Sequence, residues 1–326
     1  MTQQRAIGAH SPGQALTIIP PPGAFRLTLA FAVVVSHASA LDIGRLAVLL
    51  FFFLSGYWTA RIWQEKFDGQ RLGRFYLSRY WRVAPLYLLI TLLAAAVRGW
   101  PLHWDNFTLL GVGSTDHDPT GVSWSLDVEL QFYFLLPLLM PALGRRPVLM
   151  LLASLALAVG GWWLDVRYGI TTIAKYLPAF LLGSMTYVTA WKPSVRSANI
   201  SLALFIAFTA LTALTPFLSK KAPDPFDQDI WDFLWMLPLL PYVAHSLTIK
   251  SSRLDRDFGN LSFPLYLIHF ATITILTKAF GSGLVVKAGA ITLACALAVL
   301  VYVLFDRPMD RLRVKVTEGP RAAKPA

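Results

Sequence analysis

The sequence predicts an all-α integral membrane protein, a bundle of about ten transmembrane helices with both termini in the cytoplasm. Of its 326 residues, 56% are hydrophobic and only 14% are charged, whereas soluble domains carry about 25% charged residues. Apolar runs of about 20 residues, the length that crosses a hydrocarbon core of about 30 Å, recur between residues 24 and 305. The lipid bilayer is therefore the expected solvent.

The candidate helices follow one another with short connections. They lie near residues 24–41, 44–62, 80–97, 124–142, 147–164, 171–190, 200–218, 230–249, 260–279 and 284–305. This pattern predicts a cytoplasmic tail over residues 1–23, a transmembrane domain over 24–305 and a basic cytoplasmic tail over 306–326. The first tail has no short apolar core followed by a small-residue cleavage site, so we expect the first span to stay attached.

The distribution of charge supports an even number of spans. With ten spans, 21 basic residues fall on one side of the membrane and 8 on the other, and the positive-inside rule assigns the richer side to the cytoplasm. An odd number of spans would distribute the basic residues over both sides and remove this asymmetry. The net charge of +11 therefore reports topology and not a nucleic-acid-binding face.

Arg26 and His37 are ionisable residues inside the first predicted helix. Such groups are costly in lipid, so they usually face a bundle interior or a wet cavity. Eleven helical residues return to within about 20° of the starting azimuth, so both side chains share a face, about 16 Å apart along the axis. A histidine can take a proton from a hydroxyl near neutral pH, as O-acyl transfer requires. Alternatively, His37 is a hydrogen-bonded residue that joins helices, and the residues alone leave both interpretations open.

Arg79 and Arg82 lie three positions apart at the start of the third predicted helix. Forked guanidinium donors match phosphate oxygens, so this pair suits the phosphates of a nucleotide-bearing donor such as CoA. The pantetheine arm would then thread inward and present its thioester near His37. Anchoring to lipid headgroups is the alternative.

The segment that begins the fourth predicted helix carries a polar face. Ser125, Glu129 and Tyr133 recur every four residues and so share one side of a helix. Together with the indole of Trp124, these groups suit sugar binding, and the carboxylate is also a candidate to orient the histidine of the first helix. The alternative is that these residues form only a polar helix N-terminus, in which Asp127 lies near the positive end of the helix dipole.

A second polar stripe lies in the ninth predicted helix, where Ser262, Tyr266 and His269 fall at positions i, i+4 and i+7. These side chains line the same cavity, or they form the hydrogen bonds between helices that are common in membrane bundles. We expect no metal, because His103 and His117 lack companions at metal-ligand spacing.

These stretches together resemble the acyltransferase-3 family of integral membrane O-acyltransferases, from Arg26 to about Arg313. The resemblance rests on Arg26 and His37 with ten residues between them, and on the segments Phe52–Gly56, Phe75–Tyr87, Trp124–Tyr133, Leu261–His269 and Phe305–Pro308. The chain departs from the family pattern at Leu130 and Asp306, where relatives often carry Glu. These two departures do not change the predicted reaction class.

The resemblance implies a multi-pass protein of the bacterial plasma (inner) membrane that uses acyl-CoA, with acetyl-CoA as the expected donor. The acceptor would be a hydroxyl of an extracytoplasmic glycan or polysaccharide, with polysaccharide biosynthesis proteins as expected partners. His37 is implied to be essential with Arg26 in support. The basic motif of the family falls on Arg79 and Arg82, and its acidic motif on Glu129. Members often carry a fused extracytoplasmic esterase-like domain, whereas only about twenty residues follow the last predicted helix here. Acceptor delivery is therefore expected to rely on the membrane domain or on another protein.

Two other functions are compatible with buried polar groups. A transporter or flippase for a glycan or glycolipid intermediate would line its path with them, although the sequence shows no repeated or matching broken halves. A scaffold within a polysaccharide synthesis complex would tolerate Arg26→Ala.

Overall fold

The computed structural model describes residues 19–67, 71–213 and 228–318. Within these ranges the regular elements are helical, and no strand is present. Most of the predicted N-terminal tail, residues 214–218 of the predicted seventh helix and the end of the basic C-terminal tail lie outside the described residues. The all-α class is confirmed.

Thirteen α-helices occupy the described ranges. They are α1 Pro22–Ala38, α2 Gly44–Ile62, α3 Leu72–Arg98, α4 Trp104–Thr108, α5 Trp124–Arg145, α6 Pro147–Tyr168, α7 Ile173–Val188, α8 Val195–Ala213, α9 Gln228–Met236, α10 Leu240–Ser246, α11 Arg253–Phe280, α12 Leu284–Val301 and α13 Arg307–Glu318. Two π-helical turns, Trp63–Phe67 and Tyr302–Asp306, continue α2 and α12, and a 3₁₀ turn, Leu237–Leu239, joins α9 to α10.

Each of the ten predicted segments overlaps a helix. In the described part of the chain, seven helices are long and apolar enough to cross a membrane, which makes this a multi-pass membrane protein. The predicted count of ten spans and the sidedness of the termini stay predictions. The eighth segment is not one helix as expected: Pro238 and Pro241 interrupt it, because a proline removes a backbone donor and clashes with the preceding turn.

Two helices begin earlier than their apolar stretches. α3 starts eight residues before the predicted boundary and α11 seven residues before it, so basic residues expected in loops belong to helices. The side chain of Ser252 accepts a hydrogen bond from the backbone N–H of Asp255 and so caps α11. We call the end of the bundle where α1, α3 and α11 begin, and where α13 lies, the basic end.

Helix α2 forms the centre of the bundle. Its apolar stretch is 67% buried, whereas those of α6 and α8 are 11% and 17% buried and face outward. It packs against α7 through glycines: a Cβ atom on Gly56 would lie 2.0 Å from the carbonyl oxygen of Phe180, and one on Gly183 would lie 1.8 Å from that of Phe53. Small residues let backbones approach closely, which supplies the packing that holds helices together in lipid.

Helix α1 is fastened to α11 at the basic end. The carboxylate of Asp255 accepts hydrogen bonds from the backbone N–H groups of Gly23, at 3.1 Å, and Ala24, at 2.7 Å. Free N–H groups and the positive end of the dipole make a helix N-terminus a favourable place for a carboxylate. This contact fixes the first turn of α1, which carries Arg26.

Substituting Gly183 with valine tests the close packing of α2 and α7. We expect Gly183→Val to lower the unfolding temperature of the detergent-purified protein, because overpacking a tight contact costs about 1–3 kcal/mol. Gly160→Val in α6 is the matched control, since nothing lies within 4 Å of a Cβ atom there. Equal effects of the two substitutions on the melting curve would contradict the packing.

Candidate active site

A cavity of about 280 Å³ lies between α1, α2, α3, α5, α11 and α13, toward the basic end. Small-molecule sites begin at roughly this size. Eight of the eleven predicted site residues line this central cavity: Arg26, Arg79, Arg82, Ser125, Glu129, Tyr133, Ser262 and Tyr266. Polar groups far apart in the sequence therefore meet in one place.

Arg79 is buried in this cavity without a carboxylate partner among the described residues. Its side chain hydrogen-bonds to Ser78 Oγ at 3.4 Å, its guanidinium carbon lies 5.9 Å from the centre of the Tyr133 ring, and its Nε has no hydrogen-bond partner within the described ranges. A buried charge without a partner is costly. The arrangement therefore fits a site whose ligand is an anion, since an anion would supply charge-assisted hydrogen bonds.

Arg82 lines the same cavity but, unlike Arg79, is paired with a carboxylate. Its Nη1 lies 3.1 Å from Oδ1 of Asp306, which belongs to the π-helical turn after α12. Such turns are frequent at functional sites because they redirect side chains. The acidic position where the chain departs from its family pattern thus neutralises one of the two predicted phosphate ligands.

Glu129 accepts hydrogen bonds from Ser55 Oγ and, at 2.6 Å, from the hydroxyl of Tyr133. The prediction that Ser125, Glu129 and Tyr133 share one helix face is confirmed, because all three line the cavity. Leu130 points into the hydrophobic core and is 1% exposed. A second carboxylate at that position would lie in the core and not in this cavity.

Tyr266 lies where the cavity meets the start of α5. Its hydroxyl is 2.7 Å from Ser125 Oγ and donates to the carbonyl oxygen of Val122 at 3.3 Å. Of the predicted α11 stripe, Tyr266 and Ser262 line the cavity and His269 does not. The hydroxyl of Ser262 donates to the carbonyl oxygen of Gly259 within its own helix.

His37 lies one layer of rings beyond the cavity. The Tyr266 ring centre is 5.9 Å from that of His269, which in turn is 5.1 Å from that of His37. His37 also contacts the Phe270 ring at 4.8 Å. The expectation of a direct opening from the arginine pair to His37 is therefore not met in this conformation, because the side chains of α11 fill the intervening space.

His269 is fully buried and its orientation is set by the backbone. Its Nδ1 lies 2.7 Å from the carbonyl oxygen of Tyr266, so this nitrogen carries the proton and donates it. Its Nε2 has no hydrogen-bond partner within the described residues. The ring beside His37 thus has one nitrogen without a hydrogen-bond partner in the described part of the chain.

Trp124 lies outside the cavity, at the first turn of α5. It packs against Tyr176 at 5.5 Å, and the guanidinium carbon of Arg45 lies 5.4 Å from the centre of its ring. Arg45 and Lys175 both pair with Asp229 of α9. Charges that the sequence assigned to loops therefore join α2, α7 and α9 into one polar cluster beside the indole.

The predicted site residues did not include several polar side chains that line the cavity, among them Ser55, Thr59, Asn260, Asp310 and Arg313. The last two belong to α13, expected as part of a basic tail but observed as a helix against α3. Arg313 donates to Ser78 Oγ at 2.8 Å and pairs with Asp310 at 2.9 Å. The helical spacing of the buried residues Arg313 and Thr317 was the available signal.

The fold and the cavity define a multi-pass membrane protein with an enclosed polar site suited to an anionic ligand. The acyltransferase domain of the acyltransferase-3 family matches residues 20–307. The chain belongs to this family of membrane acyltransferases, and the resemblance predicted from its motifs is confirmed.

Relatives agree with this assignment. The chain is similar to the acyltransferase MdmB of Streptomyces mycarofaciens, with 25% identity covering 83% of this chain and 82% of that protein. It is also similar to nodulation protein 10 of Rhizobium leguminosarum bv. viciae, with 28% identity covering 71% of this chain and 65% of that protein. No solved structure matches the chain.

The ion pair between Arg82 and Asp306 is testable by a double-mutant cycle on stability. We expect Asp306→Asn to lower the free energy of unfolding by about 3 kcal/mol, because it leaves a buried guanidinium without its counter-charge. The double variant Asp306→Asn/Arg82→Gln should recover part of this loss. Chemical unfolding of the ligand-free protein in detergent measures both, and purely additive effects would show that the pair is not coupled.

Proposed function

We propose that the protein is an O-acyltransferase of the bacterial plasma membrane that moves an acyl group, in the first instance acetyl, from cytoplasmic acyl-CoA to a hydroxyl of an extracytoplasmic glycan or polysaccharide. The observation that carries this proposal is the buried guanidinium of Arg79, which has no carboxylate partner in the described part of the chain. In this proposal α1, α7 and the α9–α10 pair also cross the membrane, so both termini are cytoplasmic.

The donor enters at the basic end, which the positive-inside rule assigns to the cytoplasm. Arg79 supplies uncompensated donors to the diphosphate of CoA, with Arg82 beside it. The pantetheine arm then extends toward Tyr266. Arg26 lines the cavity about 16 Å from His37 along the axis of α1, so we assign it to donor binding and not to direct contact with the histidine.

His37 acts as the general base. It takes the proton of the acceptor hydroxyl, the oxygen attacks the thioester carbonyl, and the tetrahedral intermediate collapses with departure of the CoA thiolate, which receives the proton. His269 supports this step, since its free Nε2 beside His37 is available to hydrogen-bond an imidazolium. We favour direct transfer over an acyl relay. The hydroxyl pair of Tyr266 and Ser125 must separate for the thioester to arrive.

The acceptor approaches from the opposite end, where α1 ends and α5 begins. The indole of Trp124 and the charges of Arg45 and Asp229 lie there, and aromatic rings beside hydrogen-bonding groups are typical of small-molecule recognition. The Phe270 ring, which contacts His37, packs against the loop before α5 at Gly121. A Cβ atom at position 121 would lie 2.2 Å from that ring. The base thus lies close to the acceptor side.

Replacing His37 tests the base. We expect His37→Ala to reduce O-acylation of surface glycan at least about a hundredfold, the lower part of the range for removing a general base. Mass spectrometry of glycans from cells that carry the variant in the membrane measures the loss. His245→Ala is the matched control, because this α10 histidine bonds the carbonyl oxygen of Pro193 away from the cavity. Undiminished acylation in the His37 variant would exclude the proposed chemistry.

Replacing Arg79 tests donor binding. We expect Arg79→Lys to raise the KM for acetyl-CoA about tenfold, because an ammonium cannot form the forked contact of a guanidinium. Steady-state thiol release by the purified protein measures this change. Arg74→Ala, an exposed arginine of the same helix, should leave the KM unchanged. An unchanged KM in the Arg79→Lys variant, or an equal rise in the Arg74→Ala variant, would contradict donor binding at Arg79.

One assay separates this proposal from the transporter or flippase alternative. An acyltransferase consumes acetyl-CoA in detergent once an acceptor sugar is present, whereas a transporter makes no bond. Movement of a labelled glycolipid across vesicles without thiol release would favour the alternative.

A further inference from the structure

We propose that a second cavity at the basic end binds the adenosine 3′,5′-bisphosphate part of the CoA donor. This cavity measures about 300 Å³ and lies between the first turns of α11, the π-helical turn after α12 and α13. Asn260 and Asp310 line both this cavity and the central one. The inference rests on the proposed function and assigns residues that the sequence motifs do not.

Four arginines from two sides converge on the second cavity. Arg253 and Arg256 are spaced i, i+3 on α11, and Arg307 and Arg311 are spaced i, i+4 on α13. Such spacings place both members of a pair on one helix face. None of the four forms an ion pair with a described carboxylate. The cavity therefore presents four guanidinium groups without a carboxylate partner among the described residues, of which Arg256 already donates one hydrogen bond to the carbonyl oxygen of Ser251 at 3.0 Å.

The carboxylates of the same cavity are already engaged. Asp306 pairs with Arg82 and Asp310 pairs with Arg313. The third carboxylate, Asp257, accepts the hydroxyl of Tyr302 at 2.6 Å. Asp306 and Asp310 are neutralised by arginines outside the group of four, whereas the tyrosine hydroxyl leaves the charge of Asp257 in place. Four arginines thus lie with one uncompensated carboxylate, and this excess of positive charge suits phosphate.

The size of the central cavity favours a second subsite for a ligand as large as CoA. At about 280 Å³ it lies at the lower limit of small-molecule sites, about 300 Å³, whereas CoA carries a pantetheine arm, a diphosphate, a ribose 3′-phosphate and adenine. The ion pair of Arg82 with Asp306 forms the boundary between the two cavities, since the arginine lines the first and the aspartate the second. A donor with its diphosphate at Arg82 places its nucleotide beyond that boundary.

A phosphate in this cavity has two possible sources, the donor nucleotide and a lipid headgroup, because both are anions that meet arginines at the cytoplasmic surface. The 3′-phosphate distinguishes these two sources, because CoA carries it and 3′-dephospho-CoA does not. Its removal leaves the thioester unchanged. Comparing acetyl-CoA with acetyl-3′-dephospho-CoA therefore measures the contact of the cavity with that group alone.

The test uses the full chain in nanodiscs of zwitterionic lipid and in nanodiscs that contain anionic lipid. The wild type should prefer acetyl-CoA over acetyl-3′-dephospho-CoA in kcat/KM by about tenfold, the ratio expected for one charge-assisted hydrogen bond. Arg253→Ala/Arg311→Ala should abolish this preference in both membranes. The control Arg74→Ala/Arg196→Ala removes the same charge from exposed arginines outside both cavities and should retain it.

Two outcomes of this comparison overturn the assignment. A preference that survives in the Arg253→Ala/Arg311→Ala variant places the 3′-phosphate elsewhere. A variant that keeps the preference but loses its response to anionic lipid identifies a headgroup site. Direct titration with adenosine 3′,5′-bisphosphate tests the subsite independently of the proposed function. Binding by the wild type and not by the variant supports the subsite even if no acetyl-CoA is consumed. Turnover of acetyl-CoA without such binding contradicts the subsite but not the proposed function.

Discussion

The buried guanidinium of Arg79 is the constraint around which the central cavity is organised. Within the described residues it has no carboxylate partner, while Arg82 and Arg313 on either side each have one. Of the four arginines that line the cavity, Arg82 and Arg313 are paired, whereas Arg26 and Arg79 form no ion pair with a described carboxylate. An anion bound beside Arg79 would offset the electrostatic cost of its burial.

Helix packing holds this charge in place. The glycines of α2 and α7 bring two backbones into contact at the centre of the bundle, and Asp255 fastens the start of α1 to α11. The polar residues of α1, α3, α5 and α11 are consequently oriented toward one cavity.

The separation between the cavity and His37 is the most informative feature of the site. A continuous channel would let water and protons cross the membrane. The rings of Tyr266 and His269 lie in contact between the cavity wall and His37, and the hydroxyl of Tyr266 is held by Ser125. His37 is thus separated from the cavity in this conformation by side chains of α11.

Hydropathy and periodicity along the chain were sufficient to predict the all-helical class, the approximate positions of the long helices and the shared face of Ser125, Glu129 and Tyr133, because a transmembrane helix satisfies its own backbone and its periodicity is local. Folding in three dimensions was needed to show that Arg82 pairs with Asp306, that α13 contributes to the cavity and that His37 lies beyond it. Those features depend on the distance and rotation between helices more than 200 residues apart in sequence, which side-chain packing sets and no local pattern encodes.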